Sequence, residues 1–501
     1  MGIRSFFGKP FARYIANQTK KWSSDPAGSQ QKVLDNLIKK AASTKFGKDH
    51  NFGQIKSYDD FKANVPIRDY EQLKPYIEEM VAGKPDVLWP GKPIYLSKTS
   101  GTTSGVKYIP ITKDSIPNHF VSARNAVLAY VAETGNADFL DGKLIFLSGS
   151  PELSKKNGIH VGRLSGIVNH HVPGYLRTNQ MPSYETNCID DWETKLEKII
   201  DETLDKDMTL ISGIPPWVQM YFDRIQDRVG DKKIKEVFEN FSMFVYGGVN
   251  FEPYRAKLFD TIGKKIDSVE TYPASEGFIA YQDSQIEPGL LILLNSGIFF
   301  EFIPADEYFN ENPTRLKIDQ VELGLNYALI INSNAGLWGY SIGDTVKFIS
   351  KTPYRLLVTG RIKHFISAFG EHVIGEEVEK AMKNTCGKFP ETELIEYTVA
   401  PNVTPKEGLP LHEWYVEFAT EPKDLVAFEK ELNLQLQKLN TYYDDLIKGN
   451  ILRGLEIIVL RKNSFIDYMK SEGKLGGQNK VPRLSNDRKI AEALIYYNKE
   501  Y

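Results

Sequence analysis

Residues 97–110 read Ser-Lys-Thr-Ser-Gly-Thr-Thr-Ser-Gly-Val-Lys-Tyr-Ile-Pro, and no other stretch says as much about the chain. Six of the first nine residues carry small hydroxyl groups, two are glycines, and Lys107 follows. With so little side-chain bulk, backbone N–H groups can converge on an anion, and the hydroxyls add further donors. Residues 93–96 and 108–111 on either side favour strands. The pattern indicates a phosphate-binding turn between two strands.

The spacing separates this segment from two known phosphate-binding sequences. A Walker A loop needs Gly-x-x-x-x-Gly-Lys-Ser/Thr. Here Gly101 and Gly105 are one residue too close, and Val106 separates Gly105 from Lys107. The dinucleotide fingerprint Gly-x-Gly-x-x-Gly is absent from the segment as well. The segment is therefore either a phosphate loop of a third kind or an ordinary polar surface loop.

Composition and charge narrow the class of protein. The chain has 501 residues, is 41% hydrophobic, and carries 62 basic against 65 acidic residues, a net charge of −3. That length predicts about two to four domains. The net charge gives the protein no overall positive potential that would attract nucleic acid or anionic lipid. Two cysteines, Cys188 and Cys386, fit a reducing compartment. With no signal-peptide core and no bilayer-spanning apolar run, we expect a cytoplasmic protein with no membrane, nucleic-acid or obligate protein partner.

The hydrophobic pattern predicts an α/β fold, with a large N-terminal body and a small, mobile α+β cap domain at the C-terminal end. The first 90 residues are mostly helical in pattern, and helices then alternate with strands as in α/β layers, before a strand-rich stretch from residue 290. We place the domains at residues 1–359 and 360–501. The predicted helices cover residues 116–133, 192–204, 253–262, 375–384 and 423–439, and the predicted strands cover 143–148, 208–212, 244–246, 268–272, 290–294, 299–302, 327–331, 393–397, 413–418 and 455–460.

Two turns after predicted strands suggest contacts to a nucleotide. Gly247 and Gly248 lie between a strand and a helix, so a planar base could lie against bare backbone; a plain strand-to-helix turn is the alternative. In Tyr-Pro-Ala-Ser-Glu-Gly at residues 272–277, the ring of Tyr272 could stack on adenine. The carboxylate of Glu276 could hold Mg²⁺ beside phosphates, the alternative being a solvated glutamate in a turn.

Two later segments complete the candidate chemistry. Residues 339–344, Gly-Tyr-Ser-Ile-Gly-Asp, resemble a nucleophile elbow, but that elbow needs a helix after the serine and the pattern here predicts a strand. We therefore reject a serine hydrolase and assign Asp344 as a carboxylate that accepts both ribose hydroxyls. Lys480 lies in a glycine-rich loop and could neutralise phosphate charge if the small domain closes, although a solvated basic loop is the alternative. The eight histidines show no metal-ligand spacing.

Taken in order, these segments resemble the acyl-adenylate-forming superfamily. They are most similar to the auxin-responsive acyl-acid amido synthetases, the Gretchen Hagen family, in the form Ser-Gly-Thr-Thr-Ser-Gly-Val-Lys-Tyr-Ile-Pro and in Gln-Asn-Lys-Val-Pro-Arg at residues 478–483. The resemblance spans about residues 30 to 485, and Arg361 falls at the superfamily's hinge. It implies an ATP- and Mg²⁺-dependent ligase that joins a small carboxylic acid to an amino acid through an acyl-adenylate and releases AMP.

The resemblance also implies a role for each matching residue. Lys480, Glu276 and Arg361 would be catalytic, with Glu276 as the metal ligand. Separately, Arg124 in the predicted helix after the phosphate loop is a candidate for orienting the acid, and a solvent-facing helix arginine is the alternative. The nucleotide would contact residues of three segments, namely Thr99, Ser100, Gly101, Thr102, Thr103 and Ser104, then Gly247, Gly248 and Val249, and then Tyr272, Ser275 and Asp344. An acyl-CoA ligase with the same first step and a non-catalytic nucleotide-binding module remain the alternatives.

Overall fold

The N-terminal part of the chain is helical, as predicted. The computed structural model describes residues 2–99, 106–172, 174–248, 251–362, 365–366, 368–371, 373–472, 481–485 and 487–499. It begins with α1 (Ile3–Ser23), α2 (Pro26–Ala41), α3 (Lys45–Asp49), α4 (Tyr58–Asn64) and α5 (Tyr70–Val81). Local capping explains where two of these helices start, because Ser57 with Asp60 and Asp69 with Gln72 form capping boxes.

A hairpin follows at the serine- and threonine-rich segment. Strands β1 (Tyr95–Thr99) and β2 (Lys107–Ile111) pair antiparallel, with Tyr95 opposite Ile111 and Thr99 opposite Lys107. The prediction of a turn between two strands is confirmed for the strands. The turn itself, including the site residues Ser100, Gly101, Thr102, Thr103 and Ser104, lies outside the described residues.

The body continues with alternating helices and strands and then with a strand-rich run, again as predicted. The elements are α6 (Ile116–Thr134), β3 (Lys143–Phe146), β4 (Ser154–Lys156), β5 (Ile159–Gly162), α7 (Leu164–Asn169), α8 (Gly174–Arg177), β6 (Gln180–Met181), α9 (Tyr184–Asn187), α10 (Trp192–Thr203), β7 (Met208–Ser212), α11 (Pro215–Val229), α12 (Ile234–Val237), β8 (Met243–Gly247), α13 (Glu252–Ile262), β9 (Asp267–Ala274), β10 (Gly277–Tyr281), β11 (Leu290–Ile292), β12 (Ile298–Pro304), β13 (Asn326–Ser333), β14 (Tyr340–Lys351) and β15 (Tyr354–Arg361).

A separate α+β domain forms the C-terminal part. Its elements are β16 (Phe365–Ile366), β17 (Val373–Ile374), α14 (Gly375–Cys386), β18 (Glu393–Asn402), β19 (Leu411–Thr420), α15 (Leu425–Leu439), α16 (Thr441–Lys448), β20 (Glu456–Leu460), α17 (Ser464–Ser471) and α18 (Lys489–Lys499). Strand β19 pairs antiparallel with β18 and parallel with β20. The predicted fold class, an α/β body with a separate α+β domain, is confirmed.

One mixed sheet organises the body. Among the described residues it has the strand order β12-β13-β14-β15-β11-β10-β9-β8-β7-β3-β6. Strands β6, β3, β7, β8 and β9 run parallel, and the connections that lead from β6 to β9 contain α9 to α13. Strands β9 to β15 pair antiparallel. The carboxyl ends of β7, β8 and β9 therefore meet at one edge, where ligands bind in open α/β sheets.

Side chains that alternate along the parallel strands fill two different cores. Leu144, Leu210 and Met243 pack against α1 and α6 on one face. Their chain neighbours, among them Ile145 and Ile211, pack with α10, α11 and α13 on the other, and this second core is continuous with the C-terminal domain. Helices α2 to α5 cover the antiparallel strands. In the part of the chain that the structure describes, no helix is long and apolar enough to cross a membrane.

The serine of the apparent nucleophile elbow lies inside a strand. Ser341 belongs to β14, is buried, and receives a hydrogen bond of 2.8 Å from the hydroxyl of Tyr308. The prediction of a strand after Gly343 is confirmed, and the strand-to-helix turn that a nucleophile elbow needs is absent at this described segment.

Candidate nucleotide-binding site

A cross-strand pair of β14 and β15 forms the base of the site. Asp344 lies opposite Arg361 in the antiparallel register, and Arg361 Nε is 3.0 Å from Asp344 Oδ1. Tyr272, on β9, donates its hydroxyl proton to Asp344 Oδ2. A carboxylate has about four acceptor positions, so Asp344 retains capacity for further hydroxyl donors. The structure thus brings together three residues that lie 72 and 17 positions apart in sequence order.

Gly343 makes room for this pair. Its φ of +82° is in the left-handed region, and a Cβ there would lie 2.8 Å from Nη1 of Arg361. The same guanidinium donates from Nη1 to the carbonyl oxygen of Ile342 at 2.6 Å. The glycine that suggested a nucleophile elbow is therefore required for the packing of Arg361.

Glu276 lies among two cations and a tyrosine. The hydroxyl of Tyr340 donates to Glu276 Oε1 at 3.4 Å. Burial raises the pKa of the Glu276 carboxyl above its usual value, although Lys107 and Arg361 act in the opposite direction. Burial also lowers the pKa of Lys107, and Glu276 opposes that shift. For Arg361 the carboxylates of Asp344 and Glu276 outweigh burial and raise the pKa.

The tyrosine hydroxyls stay protonated in this environment. Burial, reinforced by Asp344, raises the pKa of Tyr272 well above its usual value, and burial with Glu276 does the same for Tyr340. Both hydroxyls are therefore hydrogen-bond donors to carboxylates over the whole physiological range. The arrangement holds cations and neutral donors close together around two carboxylates, which suits a ligand that carries phosphate groups.

The hairpin is attached directly to this cluster. The hydroxyl of Ser97, on β1, donates to Ser275 Oγ at 3.1 Å, which links the hairpin to the turn between β9 and β10. Lys107 begins β2 opposite Thr99, and its Nζ is 5.3 Å from the ring centre of Tyr70. The two ends of the predicted phosphate turn therefore lie beside Glu276.

The C-terminal domain reaches the same hairpin. Tyr442, on α16, donates its hydroxyl to the carbonyl oxygen of Lys98 at 3.3 Å. Next to it, Arg163 forms an ion pair with Asp445, and its guanidinium is 5.2 Å from the ring centre of Tyr442. The domain thus covers the hairpin at the end of β1.

Gly247, the last residue of β8, and Gly248, which follows it, have different structural surroundings. A Cβ on Gly247 would lie 2.4 Å from the carbonyl oxygen of Thr271, so close packing of β8 against β9 requires this glycine. Gly248 has a φ of +82° and is exposed. Among the described residues, only Ile214 comes within 4 Å of the position that a Cβ on Gly248 would take, at 3.9 Å. An open backbone surface therefore exists at Gly248, at the carboxyl end of β8.

The structure brings most of the described site residues together and leaves one apart. Thr99, Tyr272, Ser275, Glu276, Asp344 and Arg361 lie in or beside the cluster. Arg124 lies on α6 with its guanidinium 5.2 Å from the ring centre of Phe11 on α1, and it donates to Asn125. Its predicted role in orienting the acid gains no support from this position. Val249 and Lys480 lie outside the described residues.

Three residues of the cluster were not assigned from the sequence. Lys107 lies within the segment 97–110 and Tyr340 lies in the segment that contains Asp344, so for both the position inside a motif was a signal in the sequence. Tyr442 carried none, because it reaches the hairpin only through the docking of the C-terminal domain.

Comparisons with known proteins agree along most of the chain. Residues 15–183, 291–361 and 376–489 match the models described as the GH3 family N-terminal, central and C-terminal domains. The chain is similar to jasmonoyl–L-amino acid synthetase GH3.5 of Oryza sativa subsp. japonica, with 23% identity over 94% of each chain.

Two solved structures share the fold at low sequence identity. The AtGH3.15 acyl acid amido synthetase in complex with 2,4-DB has a TM-score of 0.61 at 16% identity, over 97% of this chain and 96% of that one. A 2-hydroxyisobutyryl-CoA ligase in complex with 2-HIB-AMP and CoA has a TM-score of 0.57 at 14% identity, over 94% of this chain and 92% of that one.

Proposed function

Because the chain belongs to the GH3 family, the family that its motifs resembled, we propose that it is an ATP-dependent acyl-acid amido synthetase. The observation that carries the proposal is the cluster of Lys107, Arg361, Glu276, Asp344 and Tyr272 beside the serine- and threonine-rich hairpin. This cluster offers cations for phosphates and a carboxylate for ribose hydroxyls at the sheet edge where nucleotides bind.

The proposed reaction has two steps. An oxygen of the substrate carboxylate bonds to the α-phosphorus of ATP, the bond to the bridging oxygen breaks, and pyrophosphate leaves. The amine of an amino acid then bonds to the acyl carbon, the bond to AMP breaks, and the amine loses a proton. Adenylation turns a poor leaving oxygen into part of AMP, so the protein's contribution is positioning and charge stabilisation.

Different residues would contact the phosphates, the ribose and the base of the nucleotide. Thr99, together with Ser100, Gly101, Thr102, Thr103 and Ser104, would hold the β- and γ-phosphates, and Lys107 and Arg361 would offset their charge. Asp344, oriented by Tyr272 and Arg361, would accept the ribose hydroxyls. The open backbone surface at Gly248, with Val249 after it, and the ring of Tyr272 would flank the base.

Glu276 fits a magnesium site of the kind that nucleotides complete. Mg²⁺ is commonly held by one or two carboxylates with substrate phosphates as further ligands, and Glu276 is a carboxylate beside the serine- and threonine-rich hairpin. When bound, the ion would neutralise charge on phosphate oxygens. Tyr340 keeps the carboxylate in place through its hydroxyl.

The domain division is part of the proposal. Residues 1–359 would bind ATP and the acid, and residues 360–501 would close over them and bring Lys480 to the α-phosphate, where exclusion of water strengthens its charge. Strand β15 ends at Arg361, so its last two residues, Gly360 and Arg361, lie on the C-terminal side of this boundary. We expect the reaction in the cytoplasm, with a small acid and an amino acid as partners.

ATP–pyrophosphate exchange over a panel of carboxylic acids tests the first step. We expect exchange with at least one acid, and its loss in Asp344→Ala and Lys480→Ala but not in the exposed-surface control Lys232→Ala. Exchange that survives both site variants unchanged would overturn the site assignment, and nucleotide binding without exchange would indicate a non-catalytic binding module.

The second step is tested with the acid found in the first. Supplying amino acids in one reaction and CoA in another distinguishes an amide product from a thioester. Thioester without amide would instead favour an acyl-CoA ligase, the activity named for one of the structures that share this fold.

A further inference from the structure

Helix α1 exposes an aromatic ridge, which we define as Phe6, Phe7, Phe11 and Tyr14. Phe6, Phe7 and Tyr14 are 62%, 67% and 57% exposed, and Phe11 is 39% exposed. The rings contact one another in pairs, with centres 5.3 Å apart for Phe6 and Phe7 and 6.4 Å apart for Phe11 and Tyr14. Grouped exposed aromatic residues are unusual on a soluble surface, because water solvates them poorly.

The charge of the same helix is one-sided. Its basic residues are Arg4, Lys9, Arg13, Lys20 and Lys21, and its sequence contains no acidic residue, whereas the whole chain has a net charge of −3. Lys9 and Arg13 are four residues apart, so they lie on one flank of the helix beside the ridge. Helix α1 is therefore a cationic surface on an otherwise slightly acidic protein.

The ridge is held rigidly by the body. Asp141 accepts hydrogen bonds from the backbone N–H groups of Gly2 at 2.7 Å and Arg4 at 3.1 Å, and so caps the helix from outside. Ala12 and Ile15, on the opposite side of the helix, are buried against α6. The helix is thus folded in the free protein, and docking requires no further ordering of its backbone.

We propose that α1 is an interfacial helix that docks the protein on the surface of an anionic phospholipid bilayer. The aromatic ridge enters the headgroup region, where rings with apolar faces are favoured, and Lys9, Arg13 and Lys20 face lipid phosphates. The exposed aromatic rings suit the headgroup region of such a bilayer, and the positive charges beside them suit its anionic phosphates. The net charge of the whole chain did not indicate membrane binding, because it sums the positive charge of α1 with the negative charge of the rest of the chain.

Flotation of the full chain with vesicles tests this docking. We expect binding to vesicles of phosphatidylcholine with phosphatidylglycerol, little binding to phosphatidylcholine alone, and a decline as salt concentration rises. Phe6→Ser/Phe7→Ser is expected to reduce binding at least about tenfold. The matched control Phe309→Ser removes an aromatic residue that is 68% exposed elsewhere and should bind as the wild type does.

Charge reversal tests the electrostatic attraction between α1 and the anionic lipid. Arg13→Glu/Lys20→Glu should weaken vesicle binding at least about fivefold per reversed charge, whereas Lys232→Glu/Lys235→Glu on α12 and its preceding turn should not. All variants should keep the wild-type melting temperature and pyrophosphate exchange, so loss of docking is separable from loss of fold or function.

Three results would overturn the proposal. One is that the wild type binds neither vesicle composition, and another is that the ridge variant binds like its control. The third is a concentration-dependent dimer in sedimentation velocity that Phe6→Ser/Phe7→Ser abolishes, which would assign the ridge to a second copy of the chain.

Discussion

At the scale of single residues, Glu276 is a carboxylate whose charge depends on its surroundings. Burial raises its pKa above the usual value in the free protein. Because only the ionised carboxylate can hold Mg²⁺ beside phosphates, kcat/KM for ATP should rise with pH as Glu276 loses its proton. This rising limb of the pH profile should lie above the pH range in which glutamates usually titrate. Glu276→Gln should lower kcat/KM about a hundredfold and remove this limb.

The measurement is a pH profile of pyrophosphate exchange at saturating acid substrate. Glu407→Gln, at an exposed glutamate of the C-terminal domain, is the control and should keep the limb. A Glu276→Gln profile that retains the same acid limb would show that another group titrates there.

Lys195 offers a residue-scale test of stability. It is buried, its Nζ donates to the carbonyl oxygens of Ser148 at 2.9 Å and Asn187 at 2.7 Å, and burial lowers its pKa to about 8. The unfolded chain keeps the proton up to about pH 10.4, so between these values the unfolded state binds more protons. The free energy of unfolding of the wild type should therefore rise with pH across this window, relative to Lys195→Met, by up to about 1.4 kcal/mol per pH unit.

Urea unfolding of both proteins at pH 8 and pH 10 measures the difference. Other groups that titrate in the window contribute equally to the two proteins and cancel. A difference that stays constant across the window would mean that Lys195 keeps an ordinary pKa in the folded state.

At the scale of elements, the pairing of β14 with β15 positions Arg361. Gly343→Ala places a Cβ 2.8 Å from the guanidinium at a φ of +82°, so it should both strain the strand and displace Arg361. We expect a loss of about 1–3 kcal/mol in the free energy of unfolding and a fall in pyrophosphate exchange.

The control for this variant is Gly324→Ala. Gly324 has nearly the same φ, +81°, but apart from the glycine itself and its two chain neighbours no atom of the described residues lies within 4 Å of its Cβ position. It should lose comparable stability and keep exchange, which separates backbone strain from displacement of Arg361. Equal exchange in the two variants would contradict the positioning role of Gly343.

At the scale of the whole molecule, two polar contacts join α16 of the C-terminal domain to the N-terminal body. Arg163 pairs with Asp445, and the hydroxyl of Tyr442 donates to the carbonyl oxygen of Lys98. The ion pair is partly exposed and contributes at most about 1 kcal/mol, so Arg163→Ala/Tyr442→Phe should shift the balance toward a more open arrangement without unfolding either domain.

Small-angle scattering should show a larger radius of gyration for this double variant, and ADP or ATP should reduce the difference. Arg228→Ala, which breaks ion pairs with Glu197 and Asp201 inside the body, is the control. An unchanged radius in the double variant would mean that the apolar core shared by the two parts alone holds the domain in place.

Much of the fold followed from local pattern. The helix predicted at 192–204 and the strand at 208–212 match α10 and β7 to within one residue, because apolar periodicity and capping are properties of neighbouring residues. Among the elements that were not predicted are the strands β4 and β5 and the helices α11, α17 and α18. Strand β4 is exposed along its length, so it lacks the apolar alternation on which such predictions rest.

The sequence by itself determined the family, the fold class and the identity of six residues in or beside the cluster. Motif spacing and hydrophobic periodicity are properties of the sequence and can be recognised without coordinates. Only the tertiary structure decided that Lys107, Tyr340 and Tyr442 join them, that Arg124 lies apart, and that Glu276 has a raised pKa. Those properties depend on burial and on distances between residues far apart in the chain. Such distances are set by sheet register and domain docking, which no local pattern encodes.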